Sequence, residues 1–243
     1  MKVKKQIELK TFFSYFGSKY RIAKLYPKPK YDTIVEPFAG SAGYSLRYPH
    51  KRIILNDIDS NVTTVWNYLI HVSEEEILSL PDIKQHIDEV SYLPFEAQLF
   101  IRFWLTKACG RPRKTLSKWV RDGISTSGFW GKQVRKQVAS QLQYIRHWEV
   151  LNTSYEQLDT VLGNIQATWF IDPPYEHSIS KEYAYNTIDY YKLALWIHQR
   201  KGESIVCEKE NAHWLPFNYL TAGYTSHNNN VSHEVFYHYE GNK

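Results

Sequence analysis

The 243 residues are 43% apolar and carry 30 Lys or Arg against 25 Asp or Glu, enough to bury a full core in one large domain or in one domain with an insertion. No apolar run reaches the ~18–20 residues of a membrane span, and Met1-Lys2-Val3-Lys4-Lys5 is not followed by the apolar stretch of a secretory signal, so a cytoplasmic protein without a membrane partner is expected. Cys109 and Cys207 stand far apart, and the ten histidines form no H-x-x-x-H or H-E-x-x-H pair; neither a disulfide framework nor a metal site is indicated.

Near the N-terminus, Tyr15-Phe16-Gly17-Ser18-Lys19 offers an aromatic cover and a cation able to pair with a carboxylate. Thr33 to Phe38 reads as a short buried strand, followed by the small-residue loop Ala39-Gly40-Ser41-Ala42-Gly43 and a helix from Tyr44. A strand, a glycine loop and a helix in that order open many nucleotide-binding α/β units. Gly40 and Gly43 let backbone come close to a ligand, but no Gly-Lys-Ser/Thr ending follows, so this is not a phosphate-cradling loop. Arg52 to Asn56 predicts a second strand closed by Asp57, and Asn61 to Val72 has helical spacing. Asp57 suits either the hydroxyls of a ribose or the cap of that helix, and Asp59 competes for both tasks. Ser73-Glu74-Glu75-Glu76 has the form of a capping box and starts a helix that Pro81 ends.

Residues 75–148 read as a helical insertion, with apolar spacing at Leu99, Phe103 and Ala108 and again at Val134, Val138, Leu142 and Ile145. Between Arg102 and Arg146 stand eleven Lys or Arg against a single acid, Asp122, a local charge of +10 on a chain whose net charge is +5. The rest of the molecule is therefore acidic, and the block has the electrostatic form of a phosphate-backbone partner, double-stranded DNA in particular. Arg111, Arg113, Lys114, Lys118, Arg121, Lys132, Arg135 and Lys136 are its candidate contacts. Phe103, Trp104, Trp119, Phe129 and Trp130 interleave with the bases, a mixture able to stack as well as to grip phosphates.

The α/β pattern then resumes, with strands at Val150 to Thr153, ending in Ser154-Tyr155, at Thr168 to Ile171 and at Ser204 to Cys207. A helix is expected from Tyr190 to Arg200, and a hairpin between Tyr219 and Tyr239 around Asn228-Asn229-Asn230. The fold class expected is α/β, Rossmann-like, with a mainly parallel sheet, an antiparallel edge hairpin and a helical insertion. The strand ending at Ile171 runs directly into Asp172-Pro173-Pro174-Tyr175. Two prolines stop the strand and stiffen the turn. Asp172 and the Pro173 carbonyl can then accept both hydrogens of an amino group on a flat ring, with Tyr175 as a stacking face; a plain strand-closing turn with Asp172 as a helix cap is the alternative.

Taken together, Tyr15-x-Gly17-x-Lys19, Glu36 to Gly43, Asn56-Asp57-Ile58-Asp59 and Asp172 to Tyr175 resemble the Dam-type (D12 class) DNA adenine N6-methyltransferases, which use S-adenosylmethionine. The resemblance implies a methyl transfer that yields S-adenosylhomocysteine, in the cytoplasm of a bacterium or a virus-infected host. It assigns residues 1–74 and 149–243 to a catalytic, cofactor-binding domain and residues 75–148 to target recognition. Tyr15, Gly17 and Lys19 are implied at the methionine end of the cofactor, Glu36, Phe38, Ala39, Gly40 and Gly43 along its pocket, Asp57 and Ile58 at the ribose, and Ser154 and Tyr155 beside the adenine. Catalysis is implied at Asp172, Pro173, Pro174 and Tyr175, with Asp172 also facing the cofactor. Two positions depart from the family: Tyr15 stands where Trp is common, and Ser154 where an acid is common. Direct in-line transfer to a base flipped from the duplex follows from an amine that is otherwise paired. Cytosine N4 methylation and a non-catalytic DNA-binding module on the same fold are the alternatives. A nicotinamide oxidoreductase is disfavoured by the incomplete glycine pattern, and cytosine C5 methylation by the absence of a cysteine after a proline.

Overall fold

The computed structural model describes residues 7–176, 183–185, 187–224 and 231–241. The N-terminal Met1 to Lys5 and the turn expected at Asn228-Asn229-Asn230 lie outside them. The strands are β1 (Thr33–Glu36), β2 (Arg52–Asn56), β3 (Glu149–Leu151), β4 (Gln166–Ile171), β5 (Lys201–Lys209), β6 (Asn218–Tyr224) and β7 (Val231–Glu240). They form one sheet in the order β3-β2-β1-β4-β5-β7-β6. The first five in that order are parallel to one another, and β7 pairs antiparallel with both β5 and β6. The expected α/β class with a mainly parallel sheet and an antiparallel edge is thus what the chain adopts.

Burial on both faces explains why these strands read as continuous apolar runs. Side chains alternate across a strand, and here they alternate between two cores: Ile34, Ile53, Leu55 and Phe170 join one cluster, while Val35, Ile54, Trp169 and Ile171 join the other. Among the described residues there are seven α-helices: α1 (Ser60–His71), α2 (Glu74–Ser79), α3 (Phe95–Trp104), α4 (Lys118–Arg121), α5 (Lys132–Ala139), α6 (Leu158–Leu162) and α7 (Tyr190–His198). One face is covered by α7, through Leu193, Trp196 and Ile197. The other is covered by α1 together with α3 and α5, whose Phe103, Val134 and Val138 share a cluster with Phe12, Phe13 and Trp66. The helical segment therefore has no separate core: Phe13 packs on Trp66 at 5.3 Å and on Phe103 at 5.1 Å between ring centroids.

Several expected boundaries move, each for a local reason. β1 stops at Glu36 because Pro37 cannot donate to a ladder, and β5 begins three residues early, its polar start Lys201-Gly202-Glu203 concealing the strand pattern. Gly202 is required there: at φ +98° its added Cβ would lie 2.2 Å from the Ala167 carbonyl oxygen. The expected helix from Tyr44 is a single 3-10 turn, Ser45–Arg47, cut short before Pro49. In the helical segment α3 ends at Trp104, and Ala108, at φ +48°, is not helical. The capping serine does act, as Ser73 accepts from the Glu76 N–H at 3.0 Å. None of the helices among the described residues is long and apolar enough to cross a membrane.

Candidate functional site

In an open parallel sheet, loops leaving two adjacent strands toward opposite faces open a crevice at the carboxyl edge. Here the reversal of strand order falls between β1 and β4, paired through Ile34 with Thr168 and Val35 with Trp169. A cavity of about 370 Å³ opens there, within the ~300–1,000 Å³ usual for small-molecule sites. The N-terminal segment Tyr15 to Lys19, the loop after β1, the acids after β2, the residues after β3, Asp172 and Pro174 after β4, and Thr187 to Asp189 before α7 line it.

Asn56, buried at the end of β2, ties three of these loops together. Its amide donates to the carbonyls of Pro37 and Thr153, each at 3.0 Å, and its oxygen accepts from the Thr153 N–H at 3.1 Å. Next to it, Asp57 accepts from the Gly40 N–H at 2.9 Å through one oxygen and from the Asp59 N–H at 2.9 Å through the other. Asp59, not Asp57, caps α1, accepting from the Asn61 N–H at 2.9 Å. Its second oxygen, Oδ2, is buried with no protein partner and belongs to a residue on the cavity wall. Burial pushes the Asp57 carboxyl up to about 6, against the lowering effect of its two backbone donors. Glu36 is also buried; it accepts from the Ser45 N–H at 2.8 Å, and burial raises its carboxyl to about 8.

The glycine loop is shaped by close approach. Gly40, at φ +44°, lies under the Tyr15 ring, where an added Cβ would come within 2.9 Å, and a Cβ on Gly43 would lie 2.6 Å from the Tyr20 backbone nitrogen. The Trp66 indole donates to the Gly40 carbonyl at 2.8 Å, and the Ser41 hydroxyl donates to that of Ser18 at 2.8 Å. No α-helix follows, so the loop presents its own conformation to the cavity rather than a helix N-terminus.

Also on the cavity wall, Lys19 and Asp172 form an ion pair at 2.9 Å, with side chains 8% and 20% exposed. Lys19 also donates to the Gly17 carbonyl at 3.0 Å and lies 3.5 Å from the Glu234 carboxylate. Burial would pull the Lys19 ammonium down, but Asp172 and Glu234 outweigh it and hold it above its usual range. Burial pushes Asp172 up to about 6 although Lys19 pulls the other way. Asp172 is thus mostly ionised at neutral pH and held still by a cation.

Of the residues expected at a site, Tyr15, Gly17, Lys19, Glu36, Phe38, Ala39, Gly40, Gly43, Asp57, Ile58, Ser154, Tyr155, Asp172 and Pro174 all line this cavity. Phe38 and Tyr155 lie against each other at 5.5 Å between centroids, forming an apolar wall. Pro173 and Tyr175 do not line it. The Tyr175 phenol instead donates to Glu234, and its ring lies 4.7 Å from the Lys19 ammonium. The expected open stacking face is therefore turned into the sheet edge, since a buried hydroxyl takes the acceptor that β7 supplies.

The basic candidates divide. Arg113, Lys114, Lys118, Arg121, Lys132 and Lys136 are exposed, as is Trp119. Arg111 is exposed and donates to the Tyr183 carbonyl at 2.9 Å, joining the basic segment to the cavity rim. Arg135 corrects the expectation: it is buried, bridged to Asp82 at 2.6 Å and laid over Trp130, so its charge is used in packing. Arg146, counted in the basic block, donates to the last carbonyls of α1 and to that of Val72.

Sequence reasoning missed Tyr183, Asp189, Ile188 and Glu234. Tyr183 reaches over Gly17 and packs on Phe16 at 5.4 Å between centroids. None of the four belongs to a motif, and Glu234 stands far along the chain in an alternating strand; only the fold brings it to Lys19. No group of His, Cys, Asp or Glu among the described residues is arranged to hold a metal.

Residues 15–103 match the family model described as D12 class N6 adenine-specific DNA methyltransferase. No curated protein matches the chain. Among solved structures, "Putative methyltransferase yhhF from Escherichia coli" is 9% identical over 86% of this chain and 76% of that one, with a TM-score of 0.35, too slight a likeness to bear on what the site does.

Proposed function

We propose that this chain, whose residues 15–103 match the family model described as D12 class N6 adenine-specific DNA methyltransferase, takes S-adenosylmethionine in the cavity and receives at Asp172 the amino group of an adenine flipped from double-stranded DNA. The family implies DNA methylation with a cofactor of that type; the assignment of the site is our reading. It is carried by one observation: a partly buried carboxylate, Asp172, held by the buried Lys19 at 2.9 Å, in the same cavity as Asp57.

The donor set suits that cofactor. Asp57 and Asp59 can accept from ribose hydroxyls, and the orphaned Asp59 Oδ2 would gain the partner it lacks. Glu36 suits an ammonium, and the Phe38–Tyr155 wall suits a purine face. S-adenosylmethionine, when bound, supplies a methyl group activated by its sulfonium.

The protein's part is acceptance and alignment. The adenine N6 lone pair is delocalised into the ring, so it becomes nucleophilic only as the nitrogen pyramidalises and its hydrogens sharpen as donors. Asp172 accepts one and is fixed by Lys19 before the base arrives, so little reorganisation is needed there as positive charge develops, whereas the Pro173 carbonyl, which does not line the cavity, takes the other only once the turn exposes it. The cavity residues would hold the methyl donor beside Asp172, and the proximity of the two reactants would supply much of the acceleration. The surplus proton on the methylated amine passes to Asp172, whose carboxyl at about 6 is basic enough to take it and acidic enough to release it. With its phenol held by Glu234, the Tyr175 ring backs the Lys19 ammonium rather than stacking on the base. No protein nucleophile takes part.

We assign residues 1–74 and 149–243 to catalysis and 75–148 to DNA, through Arg111, Arg113, Lys114, Lys118, Arg121, Lys132 and Lys136. The test is Asp172→Ala. It should abolish methyl transfer from labelled cofactor to DNA while the circular dichroism spectrum and melting stay those of a folded protein. An active variant would remove Asp172 from the mechanism.

A further inference from the structure

Glu234 lies on β7, opposite Lys209 of β5 and Thr221 of β6, in the antiparallel edge rather than in any loop of the cavity. Nevertheless its Oε1 is the meeting point of the site. It accepts from the Tyr175 phenol, accepts from the Tyr26 phenol at 3.0 Å, and lies 3.5 Å from the Lys19 ammonium. Lys19 in turn holds Asp172 at 2.9 Å and stands over the Tyr175 ring. A single carboxylate oxygen thus sets the rotamers of both the ring that lies against Lys19 and the cation that fixes the acceptor.

We propose that Glu234 is a positioning residue for methyl transfer: it clamps Tyr175 and Lys19 from behind, so that Asp172 is presented with a fixed direction and a tuned charge. This rests on the reading of Asp172 as the amine acceptor and falls with it. The side chain of Glu234 is only 15% exposed and does not line the cavity, so it acts through Tyr175 and Lys19 and does not touch substrate. Its charge also works on Asp172 directly, raising the carboxyl while Lys19 lowers it.

The other groups within electrostatic reach of Asp172 are three phenols, a thiol and two carboxyls. Tyr26, Tyr175 and Tyr183 and the Cys207 thiol of β5 are all pushed upward by burial, and Glu36 of β1 is held at about 8. Glu208, also of β5, is a carboxylate raised by burial and tied to the Glu176 N–H and the Trp214 indole.

Two variants separate positioning from bulk stability. Glu234→Gln keeps an acceptor for the phenols but removes the charge; Glu234→Ala removes both. With the wild type active on DNA, Glu234→Gln should move the acid limb of the kcat profile to lower pH by about half a unit to one unit, the like charge having been lifted from Asp172. Glu234→Ala should lower kcat at least ~10-fold with KM for the cofactor little changed, and adding Tyr175→Phe should cost little more, since the same clamp is already open. An unmoved acid limb in Glu234→Gln, or fully additive losses in the double variant, would overturn the proposal. A wild type that methylates no DNA would instead overturn the reading beneath it.

Discussion

Replacing Lys19 by methionine removes the cation from Asp172 while keeping much of its apolar stem. The pair is separated by 2.9 Å and its side chains are 8% and 20% exposed, so it falls among buried ion pairs, for which losing one partner costs ~3–5 kcal/mol. At about 1.4 kcal/mol per pKa unit that corresponds to roughly 2–4 units on the surviving carboxyl. Asp172, at about 6 with Lys19 present, would rise to ~8 or higher, because desolvation and Glu234 both still act upward. The sign follows directly. In the wild type most molecules carry an ionised Asp172 at pH 7; in the variant roughly one in ten or fewer do, and the fraction grows as pH rises. Methyl transfer measured at saturating cofactor should therefore fall about tenfold or more at pH 7 and recover partly toward pH 9, the acid limb having moved up by ~2 units. A uniform loss at every pH, with the limb still near 6, would refute the claim that Lys19 holds Asp172 ionised.

Three further outcomes are expected. Gly43→Ala places a Cβ 2.6 Å from the Tyr20 backbone nitrogen; the Lys19 segment must withdraw, so both the melting temperature and the affinity for S-adenosylmethionine, read by calorimetry, should fall, and unchanged binding would show that this approach does not shape the pocket. Cofactor binding near pH 7 should release protons, because Glu36 at about 8 is largely protonated in the free protein and an arriving ammonium favours its ionised form; calorimetry in buffers of different ionisation enthalpy measures this, and identical enthalpies would contradict it. DNA affinity should fall steeply between low and moderate salt, and charge reversal at Arg113, Lys114 and Lys118 should reduce both the affinity and the salt slope, whereas an affinity flat with salt would take DNA away from residues 75–148.

Much of the fold can be read where a single physical constraint rules. The runs at Ile34, Ile53 and Phe170 are apolar on both faces because both are buried, and Pro37 and Pro173 stop their strands because they cannot donate. Fourteen of the sixteen cofactor and catalytic positions expected from the motifs line one cavity, since glycine loops and strand-end acids are fixed by local geometry. Arg135 was not legible: charge counting cannot tell a solvated arginine from one paired with Asp82 across the helical segment. Glu234, and the direction in which Tyr175 points, escape a reading of the sequence for a related reason. The phenol turns toward a partner 59 positions away that only the pairing of β5 with β7 brings near. Nor does periodicity tell the turn at Ser45–Arg47 from the start of a helix; Pro49 decides it.

The most direct test is to incubate the purified protein with double-stranded DNA and isotopically labelled S-adenosylmethionine, digest the product to nucleosides and identify the labelled one. The account predicts label in N6-methyladenine and none when Asp172→Ala replaces the wild type. Label in N4-methylcytosine, or wild-type protein that leaves the DNA unlabelled, would contradict it.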